Sequence, residues 1–181
     1  MLKNHKHKNL NQMKELKYLI IHCTATRELQ NITADSIKAW HTSAPPAGRG
    51  WSKVGYSDLI LLDGDRHQFV HHDGDKFIES NEITNGVKGM NSISRHVCYV
   101  GGLDSSGKKA KNTLNNAQSQ ALEAIIREVI AYKPDILIAG HNQFDNKACP
   151  SFFVPTYLKM IGIPDKNIYT KDPFGYATKL S

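Results

Sequence analysis

KYLIIHC, residues 17–23, is a run of apolar and β-branched side chains, uncharged after Lys17, that ends in a histidine and a cysteine. Such a run reads as a strand buried on both faces, as in a parallel sheet between layers of helix. DILIAG, 135–140, has the same character and is followed at once by His141. Between them, Thr33 can cap a helix that runs to about His41, with Ile37 and Trp40 spaced i, i+3, and SAPPAGRG at 43–50 breaks it. SDLILL (57–62), the turn pair Asp63-Gly64 and RHQFV (66–70) read as a β-hairpin. SRHVCYVGG, 94–102, is a further strand ending in glycines. The longest helix is expected over about 116–132, where Leu122, Ile125, Ile126, Val129 and Ile130 form one apolar stripe, and Lys133-Pro134 stops it. A short helix opened by Pro155 follows DILIAG and its loop. Because helices and strands alternate, the expected fold class is α/β: a single domain with a mixed central β-sheet of five or six strands, flanked by helices. The chain divides into a basic N-terminal arm (1–16), this domain (17–161) and an irregular C-terminal tail (162–181) packed on it.

A length of 181 residues suits one domain that buries its core without disulfide staples. Three cysteines, Cys23, Cys98 and Cys149, are an odd number and a poor disulfide framework, which leaves at least one thiol free for another task. The first residues, MLKNHKHKNLNQMKELK, are basic but lack the apolar stretch of a secretory signal, and no run reaches the length of a membrane span. Synthesis in the cytoplasm is the expectation, with any action outside it depending on other machinery. The formal charge of +6 implies attraction to a polyanion without selecting one. Lysines 3, 6, 8, 14 and 17 place part of that charge in the arm, read as solvated, and no nucleic-acid motif accompanies them.

If the strands 17–23 and 135–140 are neighbours and run the same way, His22 and His141 leave the sheet at one edge. Open α/β sheets gather ligands at the carboxyl ends of their strands. Cys149 lies on a loop long enough to fold back over that edge. Two imidazoles, one thiolate and an open position form the pattern of a catalytic zinc site rather than a calcium or magnesium site. Taken singly, each of these residues has an ordinary reading as a core or rim side chain. His71-His72-Asp73 is a weaker cluster, since adjacent strand residues point to opposite faces. His5 and His7 could bind metal only adventitiously. Cys23 should face away from His22 and pack in the core, as should Cys98, while Trp51 suits either packing or the wall of a glycan cleft.

IIHCTAT (20–26), GWSKVGY (50–56), KGMNSI (88–93), VCYVGG (97–102) and GHNQFDNKACPSF (140–152) together resemble the zinc-dependent N-acetylmuramoyl-L-alanine amidases of the phage lysozyme and peptidoglycan-recognition-protein type. The resemblance covers about residues 17–160 and makes 17–161 an amidase domain with a zinc cleft at one edge of its sheet. It places the metal ligands on His22, His141 and Cys149 and the catalytic pair on Tyr56 and Lys147. The implied cofactor is Zn2+, which would activate water and polarise the scissile carbonyl, with Tyr56 and Lys147 donating to the nucleophile or the oxyanion. The general base stays open among a zinc-bound hydroxide, Tyr56 and a carboxylate supplied by folding. One departure stands out: such phage enzymes commonly carry a histidine about three residues before the Lys-Gly pair, where Gly86 stands here. His71, His72 or Lys88 are the candidate replacements.

The implied function is hydrolysis of the amide between N-acetylmuramic acid and L-alanine in bacterial peptidoglycan, by a monomer acting as a phage or prophage endolysin on the cell wall after release. The alternatives are a non-catalytic peptidoglycan-binding module, an exported antibacterial effector, and a regulator acting through the basic arm. Cys149, Tyr56 and Lys147 favour the enzyme, because binding modules of this kind typically lack the cysteine.

Overall fold

The computed structural model describes residues 13–180. His5, His7 and the first three lysines of the arm therefore lie outside the described residues. The central sheet has five strands: β2 (Tyr18–Cys23), β4 (Asp58–Ile60), β5 (Arg66–Gln68), β7 (Ser94–Tyr99) and β9 (Leu137–Gly140), in the order β5-β4-β7-β2-β9. β4, β7, β2 and β9 pair in parallel and only β5, at an edge, runs against its neighbour, so the sheet is mixed. The hairpin forms around Asp63-Gly64, with Gly64 at φ +90° in the left-handed region that the turn demands.

β2 occupies the middle of the sheet because its residues can be buried on both sides, and their alternation sends them to two different cores. Leu19, Ile21 and Cys23 join Val97, Tyr99 and Ile138 in the larger cluster. That cluster is closed by α2 (Asn116–Tyr132) and α3 (Val154–Met160). α2 begins at a reciprocal capping box between Asn115 and Gln118 and buries Leu122, Ile125, Ile126 and Val129, the stripe expected from the sequence. The other face carries a smaller cluster, Ile32, Ile37, Leu59, Cys98 and Val100, beside α1 (Ala34–Thr42). Thr33 caps α1 by accepting from the Ser36 N–H. The buried positions of α1 are Ile37 and His41, whereas Trp40 is 42% exposed, so the stripe runs at i, i+4 and not through Trp40.

Charge is also buried against α2. Arg95 and Asp58 are almost fully enclosed, and Arg95 Nε donates to Asp58 at 3.0 Å. Arg66 donates to the other Asp58 oxygen, and both arginines reach Glu128 on α2. Asp58 thus has two guanidinium partners, which offset the cost of burying a carboxylate.

Packing extends past both ends of the span 17–161. β1 (Lys14–Glu15) pairs antiparallel with β6 (Phe77–Ile78), and Leu16 is buried in the larger cluster, so the fold takes in residues that the arm 1–16 would include. In a lysine-rich context, Leu16 signals nothing until β1 is paired with β6 and its N–H is bonded to Lys76 O. Beyond 161, Ile163, Ile168 and Tyr176 are buried, Ile168 bridges to Ile138, and α4 (Tyr176–Lys179) forms. This segment packs on the domain and carries regular structure of its own. β3 (Thr26–Arg27) and β8 (Gly102–Leu103) add a short parallel pair just beyond the ends of β2 and β7.

Candidate active site

The parallel pairing of β2 with β9 sets Ile21 opposite Gly140, so the next residue of each strand, His22 and His141, leaves the sheet at one level. His141 opens a single 3-10 turn, His141–Gln143. The loop that follows is tied back: the Asn142 N–H donates to Cys149 O at 2.7 Å, Tyr99 Oη donates to Pro150 O at 2.7 Å, and Ser151 Oγ donates to Gly102 O at 2.7 Å. These bonds carry Cys149 over the strand ends. One donor atom from each of His22, His141 and Cys149 lies within 4.8 Å of the others. Among the described residues this is the group of histidine, cysteine and acid side chains that can hold a metal ion; His71, His72 and Asp73 do not form one.

The donor set fits zinc. Cys149 Sγ is 3.8 Å from His22 Nδ1, and a tetrahedral ion at ordinary Zn–S and Zn–N lengths needs about 3.6 Å between such atoms. Burial, then the neighbouring His141, holds His22 well below the usual histidine range. Burial and Lys147 bring His141 down to about 4. Both rings are therefore neutral near pH 7, the state in which imidazole binds metal. Burial and the adjacent Cys23 thiol push the Cys149 thiol up, while the Cys23 N–H, 3.3 Å from Sγ, works the other way. Cys23 is buried in the larger cluster, facing away from His22 as the sequence predicts, yet it also touches the Cys149 sulfur.

The three donors lie in a cleft of ≈ 640 Å³ whose lining includes Tyr56, Lys147, Lys88, Arg49, Trp51 and Asp145. The Tyr56 ring packs 5.3 Å from His22 and 5.2 Å from His41, centroid to centroid. Burial, then the thiols of Cys98, Cys149 and Cys23, pushes its hydroxyl well above the usual tyrosine range, so it keeps its proton. Lys147 is 59% exposed at the rim and its Nζ pairs with Asp145 at 2.8 Å. Asp145 in turn lies 3.8 Å from His141 Nε2. It is the single carboxylate among the described residues lining the cleft, and Lys147 holds it below the usual carboxylate range. Trp51 serves in both ways the sequence allowed: it stacks on His41 at 5.0 Å and forms cleft wall.

The residues proposed to replace the missing histidine separate. Lys88 lines the cleft; His71 is exposed elsewhere, and His72 is drawn inward, bonding Ser57 Oγ at 3.1 Å. Gly86 itself has no room for a side chain, because a Cβ there would lie 2.3 Å from Nδ1 of His96. His96, in β7, is buried with Nδ1 3.0 Å from His22 Nε2. Sequence reasoning missed it, since a histidine inside SRHVCYV reads as one polar residue of a strand. The available signal was a glycine and an additional histidine appearing together.

Two imidazoles and a thiol at the carboxyl edge of parallel strands, open on one side to a cationic cleft, give this α/β fold a candidate metal centre suited to hydrolysis. The chain belongs to the N-acetylmuramoyl-L-alanine amidase family, whose model matches residues 12–152. It is accordingly an amide hydrolase acting on peptidoglycan. The endolysin of Enterobacteria phage K11 is 31% identical over 145 residues, covering 80% of this chain and 87% of that one. The endolysin of Escherichia phage T7 is 33% identical over 134 residues, 74% of this chain and 80% of its own. The fold matches that of the Ph2119 endolysin from a Thermus scotoductus bacteriophage with a TM-score of 0.61 at 22% identity, over 81% of this chain and 84% of that one.

Proposed function

We propose that this amidase is zinc-dependent, that His22, His141 and Cys149 hold the ion, and that the chain serves as a phage or prophage endolysin reaching the cell wall after release. The observation that carries the reading is the convergence of three neutral-or-thiol donors within 4.8 Å at the floor of the cleft. Bound there, zinc supplies a Lewis acid and brings the pKa of a coordinated water towards neutrality.

The chain's own groups account for the rest. Tyr56, held protonated, donates a hydrogen bond to the carbonyl oxygen as it gains charge. Lys147 adds a positive charge at the same oxygen once it leaves Asp145, which its exposed position permits. Asp145 is freed by the same movement to take a proton. Arg49, Lys88 and Lys147 give the cleft a cationic lining suited to the carboxylates of a stem peptide. His22 and His141, being neutral, place no competing charge beside the thiolate. No helix among the described residues is long and apolar enough to cross a membrane.

Mass spectrometry of muropeptides released from purified cell wall tests the activity and the bond together. Intact glycan strands and stem peptides with a free L-alanine amino terminus are expected. New reducing sugar ends without new amino termini would reject the amidase reading, and full turnover after exhaustive chelation would reject the zinc.

A further inference from the structure

His96 stands behind His22 and Gly86, both of which line the cleft. Its backbone N–H points at Ser57 Oγ, 3.4 Å away, and that oxygen also meets His72, which lies 3.5 Å from Glu82. Its ring is thus set in a polar layer beneath the site, with Nδ1 on His22 and Nε2 enclosed without a partner. A side chain at position 86 would occupy the space that this ring fills: its Cβ would come within 2.4 Å of Cγ and 2.6 Å of Cε1 as well.

His22 has two ring nitrogens and one of them is already engaged. Nε2 meets His96, so Nδ1 is the atom that faces Cys149. An imidazole that gives its Nδ1 lone pair to a metal carries its proton on Nε2, and that N–H needs an acceptor. The acceptor in metal sites is most often a carboxylate, a backbone carbonyl or water. Here the group within reach is a neutral ring. We propose that His96 is a positioning residue for the metal site, accepting the Nε2–H of His22 and so fixing its tautomer and ring plane, and that position 86 is glycine because this ring needs the room. The inference rests on the zinc reading of the three donors. It assigns His96 no contact with substrate.

The test uses the full chain, stripped of metal, with Zn2+ titrated against a chromophoric chelator and Co2+ absorption as a second readout. One zinc per wild-type chain is expected; no binding by the wild type removes the zinc reading and this inference with it. His96→Leu, which keeps bulk and loses the acceptor, should weaken zinc binding on the order of 10–100-fold and alter the Co2+ spectrum. His96→Asn, whose Oδ1 can stand where Nδ1 stands, should stay within a few-fold of wild type. Gly86→Ala changes no polar group, and its backbone lies outside the left-handed region, so it acts only by displacing the ring and should weaken binding too. Wild-type affinity in His96→Leu would overturn the inference, as would equal losses in the Leu and Asn variants, which would make the role one of bulk. Should the Leu variant fail to fold by circular dichroism, wild-type affinity in Gly86→Ala overturns it instead.

Discussion

The two faces of one sheet are built for different work. Towards α2 and α3, β2 and β7 present Leu19, Ile21, Val97 and Tyr99 to a large apolar cluster, and the charge buried there, Arg95 with Asp58, is fully paired. Towards α1, the same strands present His22, His96 and Cys98, and the apolar cluster is small. Adjacent residues of a strand therefore divide between holding the fold and shaping the site, which is possible only because a strand alternates sides with every residue. Stability should answer to one face and chemistry to the other.

The sharpest way to break that division is at the Cys149 sulfur. Cys149→Ser should lose both zinc and turnover while the metal-free protein unfolds much as the wild type does; elemental analysis alongside denaturant curves checks this, and full zinc content would refute the ligand assignment. On the opposite face, Arg95→Leu leaves Asp58 buried with Arg66 alone. The expected cost is about 3–5 kcal/mol of stability, seen in urea unfolding, with zinc affinity close to wild type. Tyr56→Phe and Lys147→Ala should keep zinc and fold, yet reduce turnover roughly 100-fold, as loss of one donor to an oxyanion does. A wild-type rate in either removes that residue from the mechanism.

The smallest effect tests the polar layer under the site. Although burial alone would raise it, His72 and the N–H groups of Glu79 and Asp73 hold the Glu82 carboxyl below its ordinary 4.5. Its contribution to stability is complete above pH 4.5 and disappears as pH falls through the lower folded value. Glu82→Gln should thus cost about 1–3 kcal/mol near neutrality, with the gap to wild type closing as pH falls below 4.5 and through the lower folded value when unfolding is followed across pH.

The sequence carried the sheet's long strands, α2 and the family motifs because each rests on a local pattern: β-branched runs, a helical stripe, turn dipeptides. It marked His22 and His141 through their positions at strand ends, and Cys149 through the loop that follows His141. What it hid depends on contacts between distant segments. Leu16 enters the core where β1 pairs with β6, α1 buries Ile37 and His41 and leaves Trp40 exposed, and Asp145 becomes a cleft carboxylate only when its loop folds back. His96 and Gly86 make the plainest case: neither residue is informative until the ring of one is found in the space of the other.

The segment after α3 clamps the turn that begins at His141. Gln143 accepts from the Gly140 N–H and donates through Nε2 to Tyr169 O at 2.7 Å and Lys171 O at 2.8 Å, while the Tyr169 N–H donates to Ile138 O. All of these carbonyl and amide partners at 169–171 lie past residue 152, where the family match stops. The unit that can be transplanted is therefore longer than the unit that can be aligned. A chimera that joins a wall-binding module at residue 153 would inherit every motif of the catalytic domain and lose the splint beneath its histidine, whereas a junction after α4 would leave it whole.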